Sequence, residues 1–158
     1  MIDPSRHSKK IVATVSGKLP PAVETWHAAV RAHYNGDAER AQELLDAVID
    51  EDVVFEPPTY YKQRRGKAFT TMALAGILQL FEEFEYEREF IGERDVVLEF
   101  RTKLGGTNGV VLHGADLFRL SQDGTKIVHF TVLARSIKAL NVVLDHQTAA
   151  MKAMGAKL

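Results

Sequence analysis

GVVLHGADLFRLSQDGTKIVHFTVLAR, residues 109–135, reads as two strands joined by a turn at Gln122-Asp123-Gly124-Thr125. Asp-Gly supplies the positive φ angles that tight hairpins need. Side chains alternate along a strand, so Val110, Leu112, Gly114, Asp116 and Phe118 share one face. Most of that face is apolar and therefore points inward, which sets a carboxylate, Asp116, between Leu112 and Phe118. A buried acid is costly unless it is hydrogen-bonded, neutral or put to use.

Two more strands precede this hairpin. Over Phe84–Phe90 the alternation puts Phe84, Tyr86, Arg88 and Phe90 on one face and Glu85, Glu87 and Glu89 on a solvent face. Asp95–Lys103 turns Val96, Leu98 and Phe100 inward and Val97, Glu99 and Arg101 outward, and residues 105–109 form the following turn.

Upstream the periodicity is helical. Val23, Trp26, Val30 and Tyr34 recur at helical spacing after Pro20-Pro21, and Asn35-Gly36-Asp37 ends that helix and caps the next. Ala41, Leu44, Leu45, Val48 and Ile49 line the second helix. Val53–Pro58 is a short strand that its prolines stop or confine to an edge. The loop with Lys62, Arg64, Arg65 and Lys67 reads as solvated. A third helix is predicted over Ala68–Phe84, and a fourth over Ser136–Met154 that either caps a pocket or braces a dimer. Residues 1–19 read as an arm whose β-like stretch, Ile11–Val15, is floppy or adds to a sheet edge or partner; residues 20–158 read as a single domain. Helices followed by a meander of strands predict an α+β domain, a curved, mainly antiparallel sheet closed by helices into a cone with an apolar interior.

At 158 residues the chain can bury a sizeable core, and 46% hydrophobic with 26% charged residues excludes a disordered class. A net charge of −1 gives no electrostatic reason to bind nucleic acid or anionic membrane. With no cysteine there is no disulfide framework or thiolate chemistry. The polar start, MIDPSRHSKK, and the shortness of every apolar run predict a cytoplasmic protein with no membrane span. No spacing of His, Asp and Glu predicts a metal, no glycine-rich loop predicts a phosphate, and no cofactor is expected.

The helix pair broken by Tyr34-Asn35-Gly36-Asp37, the strand VVFEPP (Val53–Pro58), Gly66 before the next helix and ADLFRLSQDGTKIVHF (Ala115–Phe130) carry a resemblance. It extends over roughly residues 21–135. The chain resembles the nuclear transport factor 2-like superfamily, in its SnoaL-like and ketosteroid isomerase-like branch. The resemblance implies the cone-shaped, cystatin-like fold, here with an extra C-terminal helix, frequent homodimers, and a pocket between sheet and helices. In ketosteroid isomerases an Asp-Pro pair ending the first strand supplies the base, a slot filled here by Glu56-Pro57. A second Asp, in the slot of Asp116, donates a hydrogen bond to the oxyanion, which requires one ionised and one neutral carboxyl. The tyrosine that shares the oxyanion falls near Ala29, so Tyr34, Tyr60, Tyr61 or Tyr86 would have to replace it.

The expectation is thus a small apolar carbonyl ligand, with Glu56 and Asp116 as an isomerase- or cyclase-type proton-transfer pair. Trp26, Phe55, Tyr60, Met72 and Tyr86 are predicted to line the pocket, together with Leu98, Phe100, Leu112, Phe118, Phe130 and Val132. The rival reading is a non-catalytic ligand-binding or dimerisation module. In it Glu56 is bonded to loop amides, Arg64 or Arg65, and Asp116 is satisfied by Tyr or Trp donors or a salt bridge. An epoxide hydrolase of the limonene type would need Glu99 and Arg101 to face inward, against the alternation. His113, His129 and Thr131 lie on the outer sheet face, where a homodimer is expected to form.

Overall fold

The computed structural model describes residues 11–14, 18–153 and 155. In chain order they form β1 (Ile11–Thr14), α1 (Pro21–Tyr34), α2 (Ala38–Val48), β2 (Ile49–Glu56), β3 (Arg64–Arg65) and α3 (Lys67–Leu78). Then follow β4 (Phe81–Ile91), β5 (Asp95–Leu104), β6 (Val111–Leu120), β7 (Ile127–Arg135) and α4 (Ile137–Ala153). One mixed sheet has the order β1-β4-β5-β6-β7-β2-β3. Its β4–β7 meander is antiparallel, while β1 joins β4, and β2 joins β7, in parallel.

The hairpin sits at the centre of this sheet. On β6 Leu112, Gly114, Asp116, Phe118 and Leu120 are buried and their neighbours are not, as side-chain alternation requires. Gly124 has a positive φ of 74°, and the Asp123 carboxylate accepts from the hydroxyls of Ser121 and Thr125. Among the described residues Gly124 alone in this turn has positive φ, so Asp123 contributes its side chain rather than a left-handed backbone. At Gly114 a Cβ would stand 2.7 Å from both the Leu133 carbonyl oxygen and the Phe100 ring. The glycine lets Phe100 lie flat over the sheet opposite it.

All four helices lend residues to the core that covers the inner face, among them Trp26 and Val30, Leu45 and Val48, Leu74, and Ala139 with Val143. Asp37 caps α2 by accepting the Arg40 backbone N–H at 3.0 Å. Pro57, which has no N–H to donate, stops β2 at Glu56, as expected. Two boundaries differ from expectation. Ile49 starts β2, opposite Ile127, instead of ending α2. The third helix ends at Leu78 rather than Phe84, because the apolar run that continues the helical spacing is spent on starting β4. In the arm, Ile11–Thr14 is an edge strand; residues 1–10 and Val15 lie outside the described residues.

The largest departure is in β4. Its pairing with β5 shifts between Tyr86 and Arg88, a β-bulge that adds one residue and swaps the faces beyond it. Phe84 and Tyr86 point inward as expected, but then Glu89 and Ile91 are buried while Arg88 and Phe90 face outward.

Candidate ligand-binding site

Asp116 is 6% exposed and its Oδ2 accepts a hydrogen bond from the Tyr86 hydroxyl at 3.0 Å. The Tyr86 oxygen in turn accepts from the Trp26 indole N–H at 2.6 Å. The indole has only a donor to offer, so the chain of bonds runs one way, from Trp26 through Tyr86 to Asp116. Three elements meet here: α1 supplies Trp26, β4 supplies Tyr86 just before the bulge, and β6 supplies Asp116. Burial pushes the Asp116 carboxyl up to about 7, against the opposing pull of the Tyr86 hydroxyl. Burial, with the Asp116 charge next, drives the Tyr86 phenol well above its ordinary value, so it remains a donor. Asp116 Oδ1 has no protein partner among the described residues. In the protonated acid, with Oδ2 taken by Tyr86, Oδ1 is the oxygen left to carry the proton.

A cavity of about 60 Å³ adjoins this carboxyl. Of the predicted residues, Trp26, Phe55, Tyr86, Phe100, Leu112, Phe130 and Val132 line it together with Asp116. Tyr60 and Met72 instead line a second chamber of about 50 Å³, which shares Phe55, Pro57, Ala73, Ile77 and Gln147 with the first. Leu98 and Phe118 are inward but line neither chamber. Leu98 is wholly buried, and Phe118 is packed edge-on against Trp26 and Phe130 at ring distances of 5.1 and 4.8 Å. Helix α4, a helix whose role the sequence left open between pocket and dimer, closes the space with Val143 and Gln147.

Glu56 is not part of this site. Next to inward-facing Phe55, it projects from the opposite face of β2. There it accepts from Thr131 Oγ1, from Gln63 Nε2 at 2.8 Å and from His129 Nε2 at 2.8 Å. These bonds, Thr131 first, hold its carboxyl down at about 2. The expected pairing of Glu56 and Asp116 across one chamber is therefore not formed, and the partners of Glu56 are not Arg64 or Arg65. Those arginines are exposed, and Arg64 lies over the rings of Tyr60 and Phe69 at 5.7 and 5.5 Å.

Glu99 and Arg101 also face outward, so a carboxylate–arginine–carboxylate set does not assemble in the cavity. Glu99 is clamped by the Arg88 guanidinium and accepts from His113 Nε2 at 2.8 Å, while Arg101 holds Glu87 at 2.8 Å. The bulge turns Glu87 toward Glu99 and His113, bringing one ligand atom of each within 4.8 Å of the others. Sequence spacing gave no hint of this group, which three strands assemble. Both carboxylates already carry an arginine, so the cluster is compensated without a cation.

Glu89 is the buried polar residue that alternation missed. At 2% exposure it pairs with His27 Nε2 at 2.9 Å, and the His27 ring packs edge-on against Tyr86 at 5.3 Å. The one signal for it in the sequence is Ile91, an apolar residue at the wrong parity to Phe84 and Tyr86.

Comparison with known proteins agrees with the fold. A family model described as a SnoaL-like domain matches residues 23–130. An uncharacterized protein with a cystatin-like fold from Silicibacter pomeroyi superposes with a TM-score of 0.73 at 30% identity, covering 86% of this chain and 89% of that one. A steroid delta-isomerase from Pseudomonas aeruginosa gives 0.67 at 30% identity, over 87% of this chain and 98% of that one. A putative SnoaL-like polyketide cyclase from Jannaschia, at 12% identity and a TM-score of 0.61 over 78% and 91% of the two chains, shares the fold. No curated protein matches the chain.

Proposed function

The chain belongs to the SnoaL-like domain family, and we propose that it binds a small, neutral, apolar carbonyl compound whose oxygen is held by the Asp116 carboxyl. The observation that carries this reading is the burial of Asp116 at an apolar wall, which keeps the acid neutral below about pH 7, while the bond chain from Trp26 through Tyr86 occupies Oδ2 and leaves Oδ1 to donate. A carbonyl oxygen is the complement of such a donor. Among the described residues no Lys or Arg lines either chamber, which disfavours an anionic ligand. A water needs about 10–15 Å³, so each chamber has room for about four. That suits one ring with a short substituent and is too little for a four-ring skeleton.

Isomerase- or cyclase-type chemistry needs a base as well as this donor. Among the described residues lining the chambers Asp116 is the only carboxylate, and the imidazole of His146 stands in the second chamber. Ligand binding, with polarisation of the carbonyl, is therefore the function the geometry supports best.

Calorimetric titration with cyclohexanone tests it. Asp116→Leu weakens binding about three- to ten-fold, the range of one hydrogen bond. The wild-type affinity holds below pH 6 and falls above about pH 7, where the ionised carboxylate turns lone pairs toward the carbonyl. Glu56→Gln leaves the affinity unchanged. Equal binding by Asp116→Leu, with a flat pH profile in the wild type, overturns the reading.

We also propose that the outer sheet face pairs with a second copy of the chain. Phe90 and Leu133 are 39% and 58% exposed there, beside Val97 and Ala115. His113, His129 and Thr131, each bonded to a carboxylate, flank this patch.

A further inference from the structure

Among the described residues Gln147 is the one polar side chain that lines both chambers. It sits on α4, whose position over the cavity is fixed by three contacts to other elements. Thr59 Oγ1 donates to Gln147 Oε1 at 2.7 Å, the Tyr60 hydroxyl reaches Met151 Sδ at 3.6 Å, and His146 Nε2 bonds the Gly76 carbonyl at 3.2 Å. The Gln147 amide nitrogen has no partner among the described residues. Exchanging the amide oxygen and nitrogen changes which end faces Thr59 but still leaves one end of the amide over. The other residues the chambers share, Phe55, Pro57, Ala73 and Ile77, are apolar. The cavity thus has a polar group at Asp116, carbon walls along its length and a second, half-used polar group at the junction of its chambers.

We propose that the ligand is bifunctional, with a neutral hydroxyl or second carbonyl opposite the oxygen held by Asp116, and that Gln147 selects for it. This rests on the carbonyl-binding reading of Asp116 and adds a specificity-determining residue to it. An amide donor that a ligand covers and leaves unpaired loses its water without replacement, so ligands that end in carbon are disfavoured relative to those that end in oxygen.

The test titrates the wild-type protein at pH 6 with 4-alkylcyclohexanones, methyl to butyl, and with the matching 4-(ω-hydroxyalkyl)cyclohexanones. At one chain length the hydroxylated ketone binds about three- to ten-fold more tightly than its alkyl counterpart. In Gln147→Leu that ratio falls to about one. In Gln147→Asn, whose amide is withdrawn by a methylene, the best chain becomes one carbon longer. No hydroxyl advantage at any length, or an advantage that survives in Gln147→Leu, overturns the proposal. If neither series binds the wild-type protein, the reading of Asp116 falls, and this one with it.

Discussion

Asp116 couples folding to pH in a direction opposite to most carboxylates. Its folded value, about 7, lies above the ordinary 3.8, so between these values the folded chain holds a proton that the unfolded chain has lost. Stability falls as pH rises through that window and is flat above it, with a full penalty of up to about 4 kcal/mol. Asp116→Asn keeps the bond from Tyr86 and removes the titration. The variant is therefore more stable than the wild type at pH 8, and the difference shrinks toward pH 4. Thermal denaturation at the two values checks this; a difference that grows as pH falls would contradict it. At this scale the sequence was legible where one strand's own alternation decides burial, as for Asp116. Its hydrogen-bond partner was legible only as a Tyr or Trp donor, with Tyr86 one of four tyrosines, because the Tyr86 hydroxyl reaches it across β5 from another strand.

Among the elements, β4 and β6 make the site, and they differ in how regular they are. On β6 the alternation is unbroken and Gly114 gives the Phe100 ring its room. Gly114→Ala forces a methyl against a backbone oxygen that cannot swing away, which costs about 1–3 kcal/mol of stability. Urea denaturation measures it, and an unchanged midpoint would show that the sheet yields there. On β4 the bulge ends the alternation after Tyr86, so a rule of period two assigned Glu89 to solvent when it is among the most buried polar residues. Glu56 failed for another reason. The position at the end of the strand was read correctly, but Phe55 takes the inward slot and parity leaves Glu56 on the other face.

For the whole molecule, the order of helices and strands was enough to give the curved sheet and its helical cover, because each amphipathic element had to bury one face. The cavity was less legible, since α4 and the Pro57-Pro58 corner complete it from segments far apart in the chain. No helix among the described residues is long and apolar enough to cross a membrane. The outer face carries the dimer proposal, with Leu133 more exposed than Phe90 in its apolar patch. Light scattering is expected to give twice the chain mass for the wild type and the single-chain mass for Leu133→Glu. A monomeric wild type at working concentration would remove the proposal.

The account stands on a neutral Asp116 carboxyl that donates to the ligand's carbonyl oxygen, and carbon-13 NMR of bound cyclohexanone labelled at that carbon reads the bond itself. At pH 6 the bound resonance is expected downfield of its position in Asp116→Leu, and raising the pH through 7 moves it back. A resonance indifferent to both the substitution and the pH would contradict the account.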